Sequence, residues 1–278
     1  MATAAVISPK DIPTSLNYYA PIGKEPPFGY AYDPPEGVLK NNLGTEPQPA
    51  VIYDVRGKED TVSLDTTDFQ FVKHVSEEKD FLDEDTIKTK YYKEAEELLK
   101  KELGAKRVFV FDHTVRRKPD ENGNYPYGRG PAENVHVDQT FEASVNRVHY
   151  HLGDEAERLL RGRVRIINVW RPIGNPVYHR PLAVADWRTV DRDHDLVPVR
   201  LIYPHREGSI FSVKYNPNHR WSYLSNQTPD EVLFIKCYDS EEDRARLTPH
   251  TAFHDATSPK DAPQRESIEL RTLVFDSE

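Results

Sequence analysis

Asn134-Val135-His136-Val137-Asp138-Gln139-Thr140 alternates polar and apolar side chains up to Asp138 and then changes rhythm. On an extended strand alternate side chains share a face, so His136 and Asp138 point one way and Val135 and Val137 the other. The valine face packs into a core and the polar face lines a cavity. From Thr140 the pattern is helical. Thr140 caps, Glu142 complements the first turn, and Val145, Val148 and Leu152 recur at helical spacing. One imidazole and one carboxylate on a face, joined by a second imidazole from far along the chain, form the facial triad that holds non-haem Fe(II) with three positions open. The pair alone is weak. With 11 histidines, about two His-x-Asp/Glu matches are expected by chance. The second, His205-Arg206-Glu207, lies between Pro204 and Gly208 and reads as a turn. Taken in isolation, His136 and Asp138 are as readily a hydrogen-bonded structural pair as metal ligands.

Outward from this stretch, strands dominate the C-terminal side. Runs at 163–171, 182–185, 199–203, 209–213, 221–224, 231–238 and 267–275 are short, apolar or alternating, and lack a βαβ rhythm. On the N-terminal side, 107–116 alternates strongly, and 50–55 and 69–75 read as shorter strands. Asp83 or Asp85 caps a helix to about Leu103, with Tyr91, Ala95, Leu98 and Leu99 at helical spacing and Gly104 as its stop. Residues 9–49, rich in Pro, Gly, Tyr and Asn, read as an arm that wraps the core without regular elements. Residues 117–133 form a long loop leading to His136, a candidate lid. The fold class expected is therefore mainly β with flanking helices: a double-stranded β-helix (jelly roll, cupin-like) core at about 105–278, with the arm at 1–49, in one domain over 1–278.

Composition narrows the function. A net charge of −9 and a pI near 5.7 argue against a nucleic-acid surface, which needs a basic stripe. No apolar run approaches the length of a membrane span, and the start lacks a basic n-region. The single Cys237 excludes an intrachain disulfide and reads as core packing. The expectation is a cytoplasmic protein acting on a small molecule, with its oligomeric state left open.

The third ligand is sought late in the chain, where a jelly roll folds its ends over one mouth. His250 and His254 are the candidates. His250 is favoured because Arg265-Glu266-Ser267 follows 15 residues later, a separation at which a strand pair places a guanidinium and a hydroxyl in the same cavity. Arg265 would grip the far carboxylate of a dicarboxylate bidentately, with a hydrogen bond from Ser267. Arg271 is the alternative, although a salt bridge with Glu269 explains it equally well. His149 and His151 read as surface or supporting histidines. Arg171 either binds a substrate carboxylate or steadies a strand carboxylate. Trp170, Tyr215, Trp221 and Tyr223 are candidate walls of a substrate pocket.

With these residues in place, the chain resembles the Fe(II)/2-oxoglutarate-dependent oxygenases. His136-x-Asp138, His250 and Arg265-x-Ser267 follow that pattern. Asn168-Val169-Trp170-Arg171-Pro172, Pro181-Leu182-Ala183, the segments 226–231 and 236–240, and Pro249-His250-Thr251-Ala252-Phe253 are similar to the fungal gibberellin-desaturase and cephamycin-methoxylation-like branch. The likeness runs from about residue 105 to the end. It implies Fe(II), 2-oxoglutarate and O2, and hydroxylation, desaturation or oxidative cyclisation of a small molecule of fungal secondary metabolism. Two rivals remain at this stage. A cupin-type isomerase or dioxygenase without 2-oxoglutarate would release no succinate. A metal-free jelly-roll binding module would give no saturable Fe(II) or Co(II) signal.

Overall fold

The computed structural model describes residues 9–126 and 129–278. Two sheets face one another. The larger runs in the order β1 (Ile12–Pro21), β3 (Leu43–Asp54), β11 (Trp221–Tyr223), β8 (Leu182–Ala185), β13 (His250–Ala252), β6 (His136–Val137), β10 (Glu207–Val213), β9 (Leu196–Ile202), β2 (Phe28–Tyr30). The smaller runs β4 (Phe69–Lys73), β12 (Glu231–Asp239), β7 (Val164–Pro172), β14 (Ser267–Phe275), β5 (Arg107–Arg116). All pairings are antiparallel except β3 with β11 and β2 with β9, as a jelly roll requires.

β7 and β12 are buried along their whole length, because both of their faces are covered. One face turns inward, where Trp170, Leu233 and Ile235 join the core between the sheets. The other packs under helix α2 (Tyr92–Leu103), whose Ala95, Leu98 and Leu99 meet Val169, Phe234 and Leu270. Helix α1 (Glu84–Thr86) and a π-helical turn (Ile87–Tyr91) lead into α2. Asp83 is the cap, accepting from the Thr86 amide at 2.8 Å. Gly104 ends α2 at φ +65°. A side chain there is strained, so Gly104→Ala is expected to cost about 1 kcal/mol in urea unfolding. The helix after the central stretch, α3 (Phe141–Leu152), starts at Thr140, whose Oγ1 accepts from the Ala143 amide at 3.2 Å. A short turn of helix, α4 (Ala156–Leu159), follows it.

The arm differs from expectation. Instead of wrapping irregularly, β1 pairs with β3 from Ile12–Ile52 to Pro21–Leu43, and β2 adds to the far edge of the same sheet. The prolines permit this. Pro47 and Pro49 are two residues apart, so both missing donors fall on one edge of β3, and β11 covers that strand only over Ile52–Asp54. Tyr18 anchors the arm, buried with its hydroxyl accepting from Trp221 Nε1 at 2.8 Å. Within the candidate lid, residues 127–128 lie outside the described residues. Asp120 and Asn124 close a tight turn in it, and Ala132 O accepts from the Ala252 amide at 2.7 Å.

Candidate metal centre

Register brings the two imidazoles together. His136 on β6 stands directly opposite His250 on β13, in a row across the larger sheet that includes Ser212, Val184 and Ser222. Paired residues of adjacent strands point to the same face, and the two rings lie 4.4 Å apart between centroids. Val135 and Val137, on the opposite face of the strand from His136, are buried as well. Asp138 follows β6 and completes the group. One ligand atom from each of His136, Asp138 and His250 lies within 4.8 Å of the others.

The hydrogen bonds select the ligand atoms. His136 Nδ1 is 2.8 Å from Asn134 O, and His250 Nδ1 is 2.9 Å from Thr248 O. A carbonyl can only accept, so both Nδ1 atoms carry a proton, and Nε2 is the nitrogen each ring offers as a ligand when neutral. Those Nε2 atoms face Asp138 Oδ1 at 3.4 and 3.9 Å. The other oxygen, Oδ2, accepts from Arg271 Nε at 2.9 Å and Asn168 Nδ2 at 2.8 Å. Arg271 and Asn168 are themselves opposite one another on β14 and β7. The smaller sheet thus holds one carboxylate oxygen and turns the other toward the imidazoles. Two basic nitrogens and one anionic oxygen converge, each oriented from behind, and this donor set fits Fe(II).

Burial works against a charged His136, but the hydrogen bond and charge of Asp138 outweigh it and raise the imidazole above its ordinary value. Burial alone would raise the Asp138 carboxyl, but Arg271 and the two imidazoles outweigh it and hold it well below the usual range. Burial, and then His136, push His250 down to about 4, so it is neutral at physiological pH, as a ligand must be. Burial works against the charge of Arg271 too, yet Asp138 and Glu269 overcome it and raise the guanidinium above its ordinary value. The other nitrogens of Arg271 are also engaged, by Glu269 at 2.7 Å, Thr114 at 3.0 Å and Asp112 at 3.3 Å.

Arg265 enters the same cavity in a different state. It is 6% exposed, lies over the Trp170 ring at 5.6 Å, and donates from Nη1 to Arg180 O at 2.7 Å. Its buried Nε has no partner. Burial, and then Arg116, push its guanidinium down to about 9, the mark of a cation without a counter-ion. Arg116 and Glu269 also line this cavity, a void of 30 Å3 with room for an ion but not for a dicarboxylate as well.

Of the other residues singled out in the sequence, Trp170 lines the cavity and Ser267, though buried, does not. Arg171 follows Trp170 and so points to the opposite face of β7. There it bonds Tyr91, His74 and Pro229, beyond reach of any substrate at the triad. Tyr215 and Trp221 pack with Tyr18, and the Tyr223 hydroxyl donates to Lys10 O; none of these three reaches the triad's cavity. His254 lies away from it, exposed, and His151 stacks on Phe111. His250→Ala is therefore expected to weaken Co(II) binding at least about a hundredfold, and His254→Ala to leave it within about twofold, in anaerobic absorption titrations. The sequence does not single out Asn168 or Arg116 as site residues, and it offers Glu269 only as the salt-bridge partner of Arg271, a pair the structure contains at 2.7 Å. A signal existed for two of them. Asn168 is a lone amide in an otherwise apolar strand, and Glu269 shares the alternate face of Ser267 and Arg271.

Comparison with known proteins agrees with this geometry. A family model described as an oxidoreductase/YMDC permease-like domain matches residues 16–275. No helix among the described residues is long and apolar enough to cross a membrane. The hydroxylase/desaturase efuI of Hormonema carpetanum is 37% identical over 98% of this chain and 97% of its own. The Fe(II)/2-oxoglutarate-dependent dioxygenase nvfI of Aspergillus novofumigatus is 35% identical over 88% of this chain and 90% of its own. A solved structure of the iron and alpha-ketoglutarate-dependent endoperoxidase NvfI superposes with a TM-score of 0.84 at 32% identity, covering 96% of this chain and 99% of that one. The chain belongs to the Fe(II)/2-oxoglutarate-dependent dioxygenase and hydroxylase/desaturase family of fungal secondary-metabolite enzymes.

Proposed function

We propose that His136, Asp138 and His250 hold Fe(II), that Arg265 holds the far carboxylate of 2-oxoglutarate, and that the enzyme uses O2 to hydroxylate, desaturate or cyclise a small natural-product intermediate. The observation that carries this reading is the buried guanidinium of Arg265, its Nε without a partner and no carboxylate in ion-pair reach among the described residues, in the cavity where the three ligand atoms converge. Bound Fe(II) with its cosubstrate supplies the oxidising chemistry; the protein supplies position and exclusion of water. Asn134 O and Thr248 O fix the imidazole tautomers. Asn168 and Arg271 aim Asp138. Every nitrogen of Arg271 is already bonded, whereas Arg265 has one backbone partner to exchange for a carboxylate, so the clamp falls to Arg265. The void is smaller than the cosubstrate, so this reading requires the cavity to widen as 2-oxoglutarate binds.

Ser267 lies one alternation from Glu269 on β14 and in this reading adds a hydrogen bond once the cavity widens. Trp170 forms the wall beneath Arg265. The blocks at 168–172 and 249–253 support placement in the gibberellin-desaturase and cephamycin-methoxylation-like branch. The continuous two-sheet core supports one oxygenase domain over 1–278, the acidic charge supports an enzyme without a nucleic-acid partner, and the single, free Cys237 suits a cytoplasmic location. The test is Fe(II)-dependent conversion of 2-oxoglutarate to succinate and CO2 under O2. Succinate released by the wild type and absent in His136→Ala supports the reading; equal release from both overturns it.

A further inference from the structure

A second cavity, of 590 Å3, opens between α3 and the β9–β10 hairpin, a size that accommodates a small organic molecule. Phe141, Tyr150 and Phe211 supply aromatic wall. Arg147 enters from α3 and Arg206 from the turn between β9 and β10. Each guanidinium lies over a ring, Arg147 over Phe111 at 5.3 Å and Arg206 over Tyr203 at 3.7 Å. Neither meets a carboxylate within ion-pair distance among the described residues. The cavity's third arginine, Arg200, is already held by Glu207 through Nε at 2.9 Å and a second, shorter contact. Glu142, exposed at the start of α3, lines the cavity, and Asp112, beyond ion-pair distance of Arg147, attracts it from outside. In a chain with a net charge of −9, two half-buried arginines without acidic partners, set in an aromatic wall, are the complement of an anion with an apolar body.

We propose that this cavity binds an amphipathic acid, its ring system against Phe141, Tyr150 and Phe211 and its carboxylate between Arg147 and Arg206. Burial, and then Arg206, push the Arg147 guanidinium below its ordinary range, the direction expected of a cation awaiting a counter-ion. The wall begins at Gln139, one residue past Asp138, yet none of the triad residues lines it, so the inference stands without the iron reading.

Isothermal titration calorimetry with 2-naphthoate, and with 2-naphthamide as its uncharged counterpart, tests this on the full chain loaded anaerobically with Fe(II) and 2-oxoglutarate. One naphthoate should bind per chain, with the amide weaker by about tenfold or more. Arg147→Gln and Arg206→Gln should each weaken naphthoate about tenfold and leave the amide unchanged. Ala143→Trp, which fills the cavity and keeps both arginines, should remove binding of both probes, with thermal melts confirming that each variant is folded. Asp138→Asn should bind naphthoate as the wild type does. Equal affinity for the two probes, no saturable binding at millimolar concentration, or insensitivity to both glutamine variants overturns the proposal. So does loss of naphthoate binding in Asp138→Asn, which would place the probe in the metal cavity.

Discussion

Asp138→Asn is expected to abolish Fe(II)-dependent turnover, by about a thousandfold or more, while the chain remains folded. The amide keeps the shape of the side chain and removes the only anionic ligand. Asp138→Ala should abolish turnover equally and also unfold more easily, by about 2–4 kcal/mol, because it leaves Arg271 Nε and Asn168 Nδ2 without their acceptor inside the fold. Urea unfolding beside a succinate assay separates the two effects. The acid limb gives a second reading. The folded carboxyl of Asp138 lies below its unfolded value, so its contribution to stability is complete above about pH 4 and is lost as pH falls through the folded value. That part of the acid sensitivity should be missing from both variants.

Arg265→Ala is expected to raise the 2-oxoglutarate concentration for half-maximal turnover about tenfold to a hundredfold, with metal binding unchanged. Loss of a bidentate partner for a carboxylate explains the size. Arg265→Lys should recover only part of it, since an ammonium cannot present two parallel donors. Stability should change little, because the guanidinium has a single backbone partner and a buried charge without a counter-ion. Arg271→Ala should behave differently. It strips Asp138 and Glu269 of a common cation and is expected to destabilise the fold by about 3–5 kcal/mol. If Arg271→Ala raised the cosubstrate requirement and Arg265→Ala did not, the clamp would have been assigned to the wrong arginine.

The parts of this site legible in the sequence are those governed by local alternation. Val135-His136-Val137-Asp138 must place imidazole and carboxylate on one face once it is extended, whatever surrounds it. The third ligand was reachable because few histidines lie late in the chain. Trp170 and Arg171 show where such reasoning ends. They are neighbours on a strand buried on both sides, so the alternation says that they diverge but not which one meets the cavity. Only the docking of α2 on the outer face, with Tyr91 and His74 bonding Arg171, decides it. The arm misleads for a related reason. Proline content argues against strands in general, but two prolines on the same unpaired edge cost the sheet nothing. Tyr215, Trp221 and Tyr223 have the composition of a pocket wall, yet long-range pairing assigns them to anchor β1 and the chain around Lys10.

The two imidazoles ride on one sheet, whereas Asn168, Glu269 and Arg271 ride on the other, and Arg265 stands at the threshold of β14. Catalytic alignment is therefore a property of the seam and of neither half alone. A small slip of one layer over the other would pull Oδ1 of Asp138 out of aim while every ladder stayed intact. Mild heat or denaturant should accordingly silence the enzyme before far-ultraviolet circular dichroism records any loss of strand.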